Sequence, residues 1–267
     1  MTNSDNSSRD SWALVTGASG GIGLAYVEEL AKKSKSVILV ARNEQKLTEL
    51  AVELSNKYGV MTKVIAADLS TIEGIKQVAE QTEDLQIDLL INNAGKEESG
   101  RFLELDPGEM ASSIALNCQA PLLLTHHFGN KMANNGGGDI LFLASIVAFQ
   151  GVPYIANYAA TKSYVLTLAE GVGFELKGKG VNVTVAAPGF TKSNLAPDYN
   201  FEGTPYKPLE ASFVAEYTLK NLGKKSIVVP GGVNKVLYFL GKYLQPRTLN
   251  TRVFWRVFSK VLRDKLV

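Results

Sequence analysis

Seven short apolar runs alternate with six segments of helix length, and that alternation constrains the fold of this chain more than any single motif in it. The runs fall at residues 12–16, 36–41, 63–67, 88–92, 139–144, 181–187 and 226–229. Between them, residues 22–33, 44–57, 71–82, 109–133, 155–177 and 209–222 carry helical patterning. The runs are nearly continuous in apolar character, as expected of strands buried on both faces. Strands of that kind joined by helical crossovers form a parallel sheet with helices on each side, and right-handed crossovers make it doubly wound. We therefore expect an α/β fold with a seven-stranded parallel sheet, in one domain over residues 12–232. With 45% hydrophobic residues in 267, the chain can bury such a core. Ser70-Thr71-Ile72-Glu73 has the spacing of a capping box at the start of the third helix.

The first run leads into Thr16-Gly17-Ala18-Ser19-Gly20-Gly21-Ile22-Gly23 and then a helix. Glycines at a strand-to-helix junction allow a tight turn and close approach of backbone to a pyrophosphate, whose charge is favoured at a helix N-terminus. The turn points to nucleotide binding, although its Gly-x-x-x-Gly-x-Gly spacing departs from the usual dinucleotide fingerprint. Further on, Tyr158 and Lys162 stand four apart in a helical segment, which puts phenol and ammonium on one face. At about 6 Å and an effective dielectric near 20, the attraction between tyrosinate and ammonium is roughly 3 kcal/mol, enough to lower a phenol pKa. Taken alone, such a pair is usually a solvated surface feature.

Together with Asn92-Asn93-Ala94-Gly95 at the end of the fourth run, these motifs resemble those of the short-chain dehydrogenase/reductase family, over nearly all of residues 12–232. The resemblance implies a Rossmann-like domain and a catalytic set of Asn117, Ser145, Tyr158 and Lys162. For the cofactor it implies Gly17, Ser19, Gly21, Ile22 and Gly23 at the phosphates, Asp68 and Leu69 at the adenine, and Asn92 and Gly95 at the ribose side. It further implies that the turn Pro188-Gly189, with Thr191 and Ser193, meets the nicotinamide, beside Tyr158 and Lys162. Tyr158 would donate a proton to a carbonyl oxygen as hydride arrives, and Ser145 would hydrogen-bond that oxygen. Lys162 would tune the phenol and bind ribose, and Asn117 would hold a water for proton resupply.

Cofactor choice rests on the residues themselves. After the second run stands Arg42, with no acid at Ala41-Arg42. An acid there would hold a ribose 2′-hydroxyl, whereas a guanidinium pairs with a 2′-phosphate, so NADP(H) is expected over NAD(H). Phe149, Val152, Ser145 and Tyr158 are candidates to line the substrate pocket. Aliphatic and aromatic residues between Ser145 and Tyr158 serve packing equally well. His126 and His127 are adjacent, about 100° apart around a helix, so no metal site is expected.

Residues 1–11 are polar and free of an apolar run, which suggests a disordered lead-in. The single Cys118 and the lack of any stretch of 18 uncharged apolar residues fit a cytoplasmic protein. Residues 233–267 carry eight Lys/Arg and one acid, net +7, while the remainder has 20 cations and 25 acids, net −5. Within this extension Val253, Phe254, Val257, Phe258, Val261 and Leu262 repeat at helical spacing, with Arg252, Arg256, Lys260 and Arg263 mostly opposite. Three readings stand. The tail packs on its own domain; its apolar face makes a peripheral membrane contact; or it covers an apolar substrate or a second subunit. An acidic core without a recognition motif gives no reason to expect nucleic acid.

Two functions remain in view. One is an NADP(H)-dependent carbonyl reductase or alcohol dehydrogenase acting on an apolar carbonyl or alcohol, as a homodimer or homotetramer. The other is an NADP(H)-binding sensor or scaffold without turnover.

Overall fold

A computed structural model describes residues 11–193, 195–244 and 246–266. The expected lead-in therefore lies outside the described residues, apart from Ser11, which opens the first strand. The strands are β1 (Ser11–Thr16), β2 (Ser36–Ala41), β3 (Thr62–Ala66), β4 (Gln86–Asn92), β5 (Gly138–Leu143), β6 (Val181–Ala186) and β7 (Ile227–Val228). They form one parallel sheet in the order β3-β2-β1-β4-β5-β6-β7. The strand order reverses between β1 and β4, and a crevice opens there beyond the carboxyl ends.

Alternate residues of each strand serve opposite faces. Leu14, Ile38, Ile65, Leu90, Ile140 and Val185 join one core with Val78 of α3 (Ile72–Gln81), Phe128 of α5 (Ala120–Asn134) and Val165 of α6 (Ala156–Leu176). Ala13, Val37, Leu89 and Leu141 join another with Tyr26 and Val27 of α1 (Gly21–Ala31), Leu47 of α2 (Glu44–Tyr58) and Ala215 of α7 (Ala211–Asn221). Each large apolar side chain fully buried this way stabilises the fold by roughly 1.5–3 kcal/mol.

Two local expectations need correction. The cap of α3 is Thr71, whose Oγ1 accepts the amide of Gly74 at 3.0 Å, while Ser70 is held by Asp68. Gly74 is needed because a Cβ there would come within 2.1 Å of the Asp68 carbonyl. The helix expected over 109–133 is interrupted: α4 (Pro107–Ile114) passes into a π turn at Ala115–Gln119 before α5 begins. Pro121 has no N–H to give to the carbonyl four residues back, that of Asn117, so a regular ladder cannot run through this point.

After β7 come α8 (Gly232–Phe239), a second π turn (Leu240–Leu244) and α9 (Arg247–Val261). The apolar side of α9 turns inward, with Phe258, Val261 and Leu262 buried.

Candidate active site

The glycine turn sits at the crevice. Gly17 and Gly21 have φ of +68° and +57°, in the left-handed region, and a Cβ on Gly23 would lie 2.1 Å from the Gly17 carbonyl. The turn is braced from β4: Asn93 Nδ2 donates to the Thr16 carbonyl at 2.8 Å, and Thr16 Oγ1 accepts the amides of Asn93 and Ala94, each at 2.9 Å. At the start of α1, Gly20 offers no side-chain cap and the first turn holds no acid, while among the described residues nothing beyond its own chain neighbours lies within 4 Å of where a Cβ on Gly20 would stand. Uncapped amides beside open space fit a phosphate group. Asn92 leaves its Oδ1 buried and unpartnered. Hydrogen bonds from Ser70 lower the carboxyl of Asp68, and the charge of Arg42, exposed just past β2, adds to them. Leu69 is buried. Ser193 meets Gly21, its Cβ 3.1 Å from an ideal Cβ position there, and Thr191 Oγ1 donates to the Gly189 carbonyl at 3.0 Å. The residues present fit a dinucleotide.

Beside this crevice the structure brings Asn117, Ser145, Tyr158 and Lys162 together. Asn117, in the π turn, donates to the Lys96 carbonyl at 2.8 Å and to Thr161 Oγ1 at 3.0 Å, and accepts the Lys96 amide at 2.9 Å. Gly95 lets these groups close up, since a Cβ there would be 3.3 Å from both Lys162 Nζ and Asn117 Oδ1. Ser145 follows β5; its hydroxyl reaches the Pro188 carbonyl at 3.4 Å and contacts the Tyr158 phenol. Lys162 is buried and donates to the Leu143 carbonyl at 2.8 Å, with Nζ 5.5 Å from the Tyr158 ring centre.

The electrostatics differ from the sequence expectation. Burial pushes the Tyr158 phenol well above its ordinary value, the nearby Glu97 carboxylate pushes the same way, and Ser145 alone opposes them. Burial likewise pushes Lys162 down to about 8. The helix spacing was right, but desolvation dominates at both groups.

Sequence reasoning missed Glu97 and Tyr199. The Tyr199 phenol donates to Glu97 Oε1, and burial raises the Glu97 carboxyl to about 7. Glu97 also lines a cavity of about 260 Å³ bordered by Lys96, Glu98, Asp198 and Lys265. Tyr199 belongs to an aromatic cluster centred on Phe190, whose ring centre lies 5.7 Å from Tyr199, 5.0 Å from Phe201 and 5.7 Å from Phe258. The dense aromatic content of residues 190–206 was the available signal.

Phe258 and Leu262 of the C-terminal segment pack with Ile146, Val147, Val152, Ile155 and Tyr158, so this segment roofs the phenol. Val152 stands in that cluster. Phe149 does not: it leans against Tyr238 of α8, ring centres 4.7 Å apart, and packs with the central core. The roof is anchored through Tyr154, a non-glycine residue with φ of +69°, whose phenol accepts the Trp255 indole N–H at 3.0 Å and whose carbonyl accepts the Gly100 amide at 2.8 Å. Left-handed backbone at a bulky residue is strained, and here contacts on both sides hold it.

A switch-point crevice with an uncapped helix terminus, next to a buried Tyr–Lys–Ser group, defines a nicotinamide-dependent oxidoreductase. The family model for short chain dehydrogenase matches residues 11–202. The chain belongs to the short-chain dehydrogenase/reductase family. It is 30% identical over 230 residues to a 7beta-hydroxysteroid dehydrogenase of Clostridium sardiniense, covering 84% of this chain and 87% of that one. A very-long-chain 3-oxoacyl-CoA reductase of Lodderomyces elongisporus is 34% identical over 82% of this chain but only 65% of its own length. Among solved structures, one from a study of 7beta-hydroxysteroid dehydrogenase stereoselectivity superposes with a TM-score of 0.83 at 26% identity, covering 92% of this chain and 97% of that one. A short-chain dehydrogenase from Sphingobium yanoikuyae in complex with NADPH gives 0.77 at 30% identity, covering 82% and 86%.

Proposed function

We propose that this protein is an NADP(H)-dependent oxidoreductase that interconverts a carbonyl and an alcohol on an apolar, lipid-like substrate. The observation that carries the reading is the buried Tyr158 phenol, with Ser145 at its oxygen and Lys162 beneath it, under an apolar roof. A nicotinamide held beside Tyr158 would supply or accept the hydride. Tyr158, kept protonated by its surroundings across the neutral range, donates its proton to the carbonyl oxygen. Ser145 hydrogen-bonds the same oxygen as charge develops there. Lys162 places a positive charge beside the phenol, and Asn117 fixes the segment that carries Gly95 and Lys96. The glycine turn and the start of α1 would hold the pyrophosphate, Arg42 the 2′-phosphate, and Thr191 with Ser193 the nicotinamide side. Phe258, Leu262 and Val152 exclude water from the reacting oxygen.

An apolar substrate is supported by the aromatic and aliphatic roof, and by relatives named for steroid and very-long-chain acyl chemistry. The catalytic unit in this reading is residues 12–232, completed by the extension 233–267. Exposed Ile114, Leu122, Tyr164 and Phe174, on α4, α5 and α6, supply the contact surface of a homodimer or homotetramer.

The test is NADPH oxidation with a panel of steroid and long-chain ketones. Tyr158→Phe should lower turnover by roughly 10²- to 10⁴-fold while leaving NADPH affinity intact. A Tyr158→Phe protein with full turnover overturns the assignment.

A further inference from the structure

Helix α8 is built inside out. Its outward positions are Val233, 74% exposed, with Val236 at 58%, Leu237 at 42% and Phe239 at 53%. Val233, Val236 and Leu237 are spaced three and four apart and so form one stripe, while Asn234 and Tyr238 face the domain, Asn234 against Gly189 and Tyr238 against Phe149. The exposed apolar series continues through Leu244, 64% exposed, to Leu249 and Val253. On α9 these last two alternate with exposed Arg252, Arg256 and Lys260 along the side opposite buried Phe258 and Val261. From Val233 to Arg263 the sequence contains seven Lys/Arg and no acid.

A solvent-facing apolar stripe flanked only by cations matches the surface of a helix that lies in a bilayer interface. Juxtaposed copies of it would set like charge against like charge, whereas anionic headgroups complement it. Among the described residues no helix is long and apolar enough to cross a membrane, so the contact would lie in the plane of the surface. We propose that the outward faces of α8 and α9 seat this protein on an anionic lipid surface. Val236, Phe239 and Leu244 enter the headgroup boundary, and Arg252, Arg256 and Lys260 meet the lipid phosphates. This differs from the simpler membrane reading of the sequence, because the apolar side of α9 is already spent on the roof over Tyr158 and the lipid-facing apolar residues come from α8 and the turn after it. The seat thereby adjoins the roof, which would let an apolar substrate pass between bilayer and pocket.

The contact can be read without turnover, so its failure is distinguishable from failure of the hydride-transfer reading. The full chain is sedimented with phosphatidylcholine vesicles, with and without phosphatidylglycerol, at low and high salt. The expected result is recovery with the anionic vesicles only, lost at high salt. Arg252→Glu with Arg256→Glu should weaken it roughly 30-fold or more, and Val236→Asp with Phe239→Asp should abolish it. All four positions are exposed, and melting curves check that the variants remain folded. Equal recovery with neutral and anionic vesicles, or none with either, overturns the proposal, and the wild-type comparison needs no variant. It is also overturned if Val236→Asp converts a wild-type dimer to monomers while vesicle recovery stays unchanged, which would assign the stripe to a second copy of the chain.

Discussion

Asn117 holds both backbone polar groups of Lys96, accepting its amide at 2.9 Å and donating to its carbonyl at 2.8 Å. One side chain thus fixes the segment between the Gly95 approach and the Glu97–Tyr199 pair. Asn117→Leu removes all of these bonds; the Lys96 carbonyl keeps the Ser113 hydroxyl and Thr161 still donates to the Tyr158 carbonyl, so the Lys96 amide is the group left without its partner, at about 1–3 kcal/mol. The expected outcome is a melting temperature several degrees lower, together with loss of turnover, measured by calorimetry and NADPH oxidation.

Two glycines of the same turn should behave oppositely. Gly23→Ala drives a methyl group to 2.1 Å from the Gly17 carbonyl, so the turn must open and the protein should melt earlier as well as bind NADPH poorly. Gly20→Ala meets nothing within 4 Å among the described residues beyond its chain neighbours and should melt like the wild type, yet its methyl group occupies the space beside the uncapped amides. Titration calorimetry should show weakened NADPH binding in both, and scanning calorimetry should separate them.

Arg42→Asp exchanges a phosphate partner for a ribose-hydroxyl partner. The ratio of kcat/KM for NADPH over NADH should fall by roughly 10- to 100-fold, the worth of a charged hydrogen-bonding contact. An unchanged ratio would place the 2′-phosphate elsewhere.

Glu97 and Lys162 make opposite pH signatures. The Glu97 carboxyl is raised from 4.5 to about 7, so its folded form favours the proton and stability falls as pH climbs through that window. Glu97→Gln should flatten this fall in melting temperature. Lys162 is lowered from 10.5 to about 8, so its share of stability rises as pH climbs from about 8 to 10.5, while the positive charge beside Tyr158 is lost. The rate of carbonyl reduction should therefore decline above about pH 8, as read from the pH profile of kcat/KM. A decline at the much higher pH of the buried phenol would assign the limb to Tyr158.

The sheet was legible because a strand buried on both faces has to be apolar where it is buried, as are residues 13–15 of β1, 89–91 of β4 and 140–143 of β5. The Tyr158–Lys162 pair was legible because helix spacing is local. What the spacing could not carry was the environment. Burial reverses the expected shift at Tyr158, and part of that burial comes from Phe258 and Leu262, distant in sequence. The π turn at Asn117 was readable in principle from Pro121, but its purpose depends on Lys96 reaching that point from another loop. Glu97 carries no local signal of burial, because its partner Tyr199 stands 102 residues away. Phe149 had the right neighbours in sequence for the pocket and faces α8 instead.

The bond from Asn93 Nδ2 to the Thr16 carbonyl spans 77 residues. Although the glycine motif is written in eight consecutive positions, its shape is completed by a residue that reaches it only once β4 has paired with β1. Closing so large a loop carries an entropic cost before any contact repays it, which places the phosphate-binding turn among the late events of folding. Before β4 pairs with β1 the chain would have no affinity for nucleotide. Cofactor in the refolding buffer should accordingly slow unfolding of this protein and leave its folding rate unchanged.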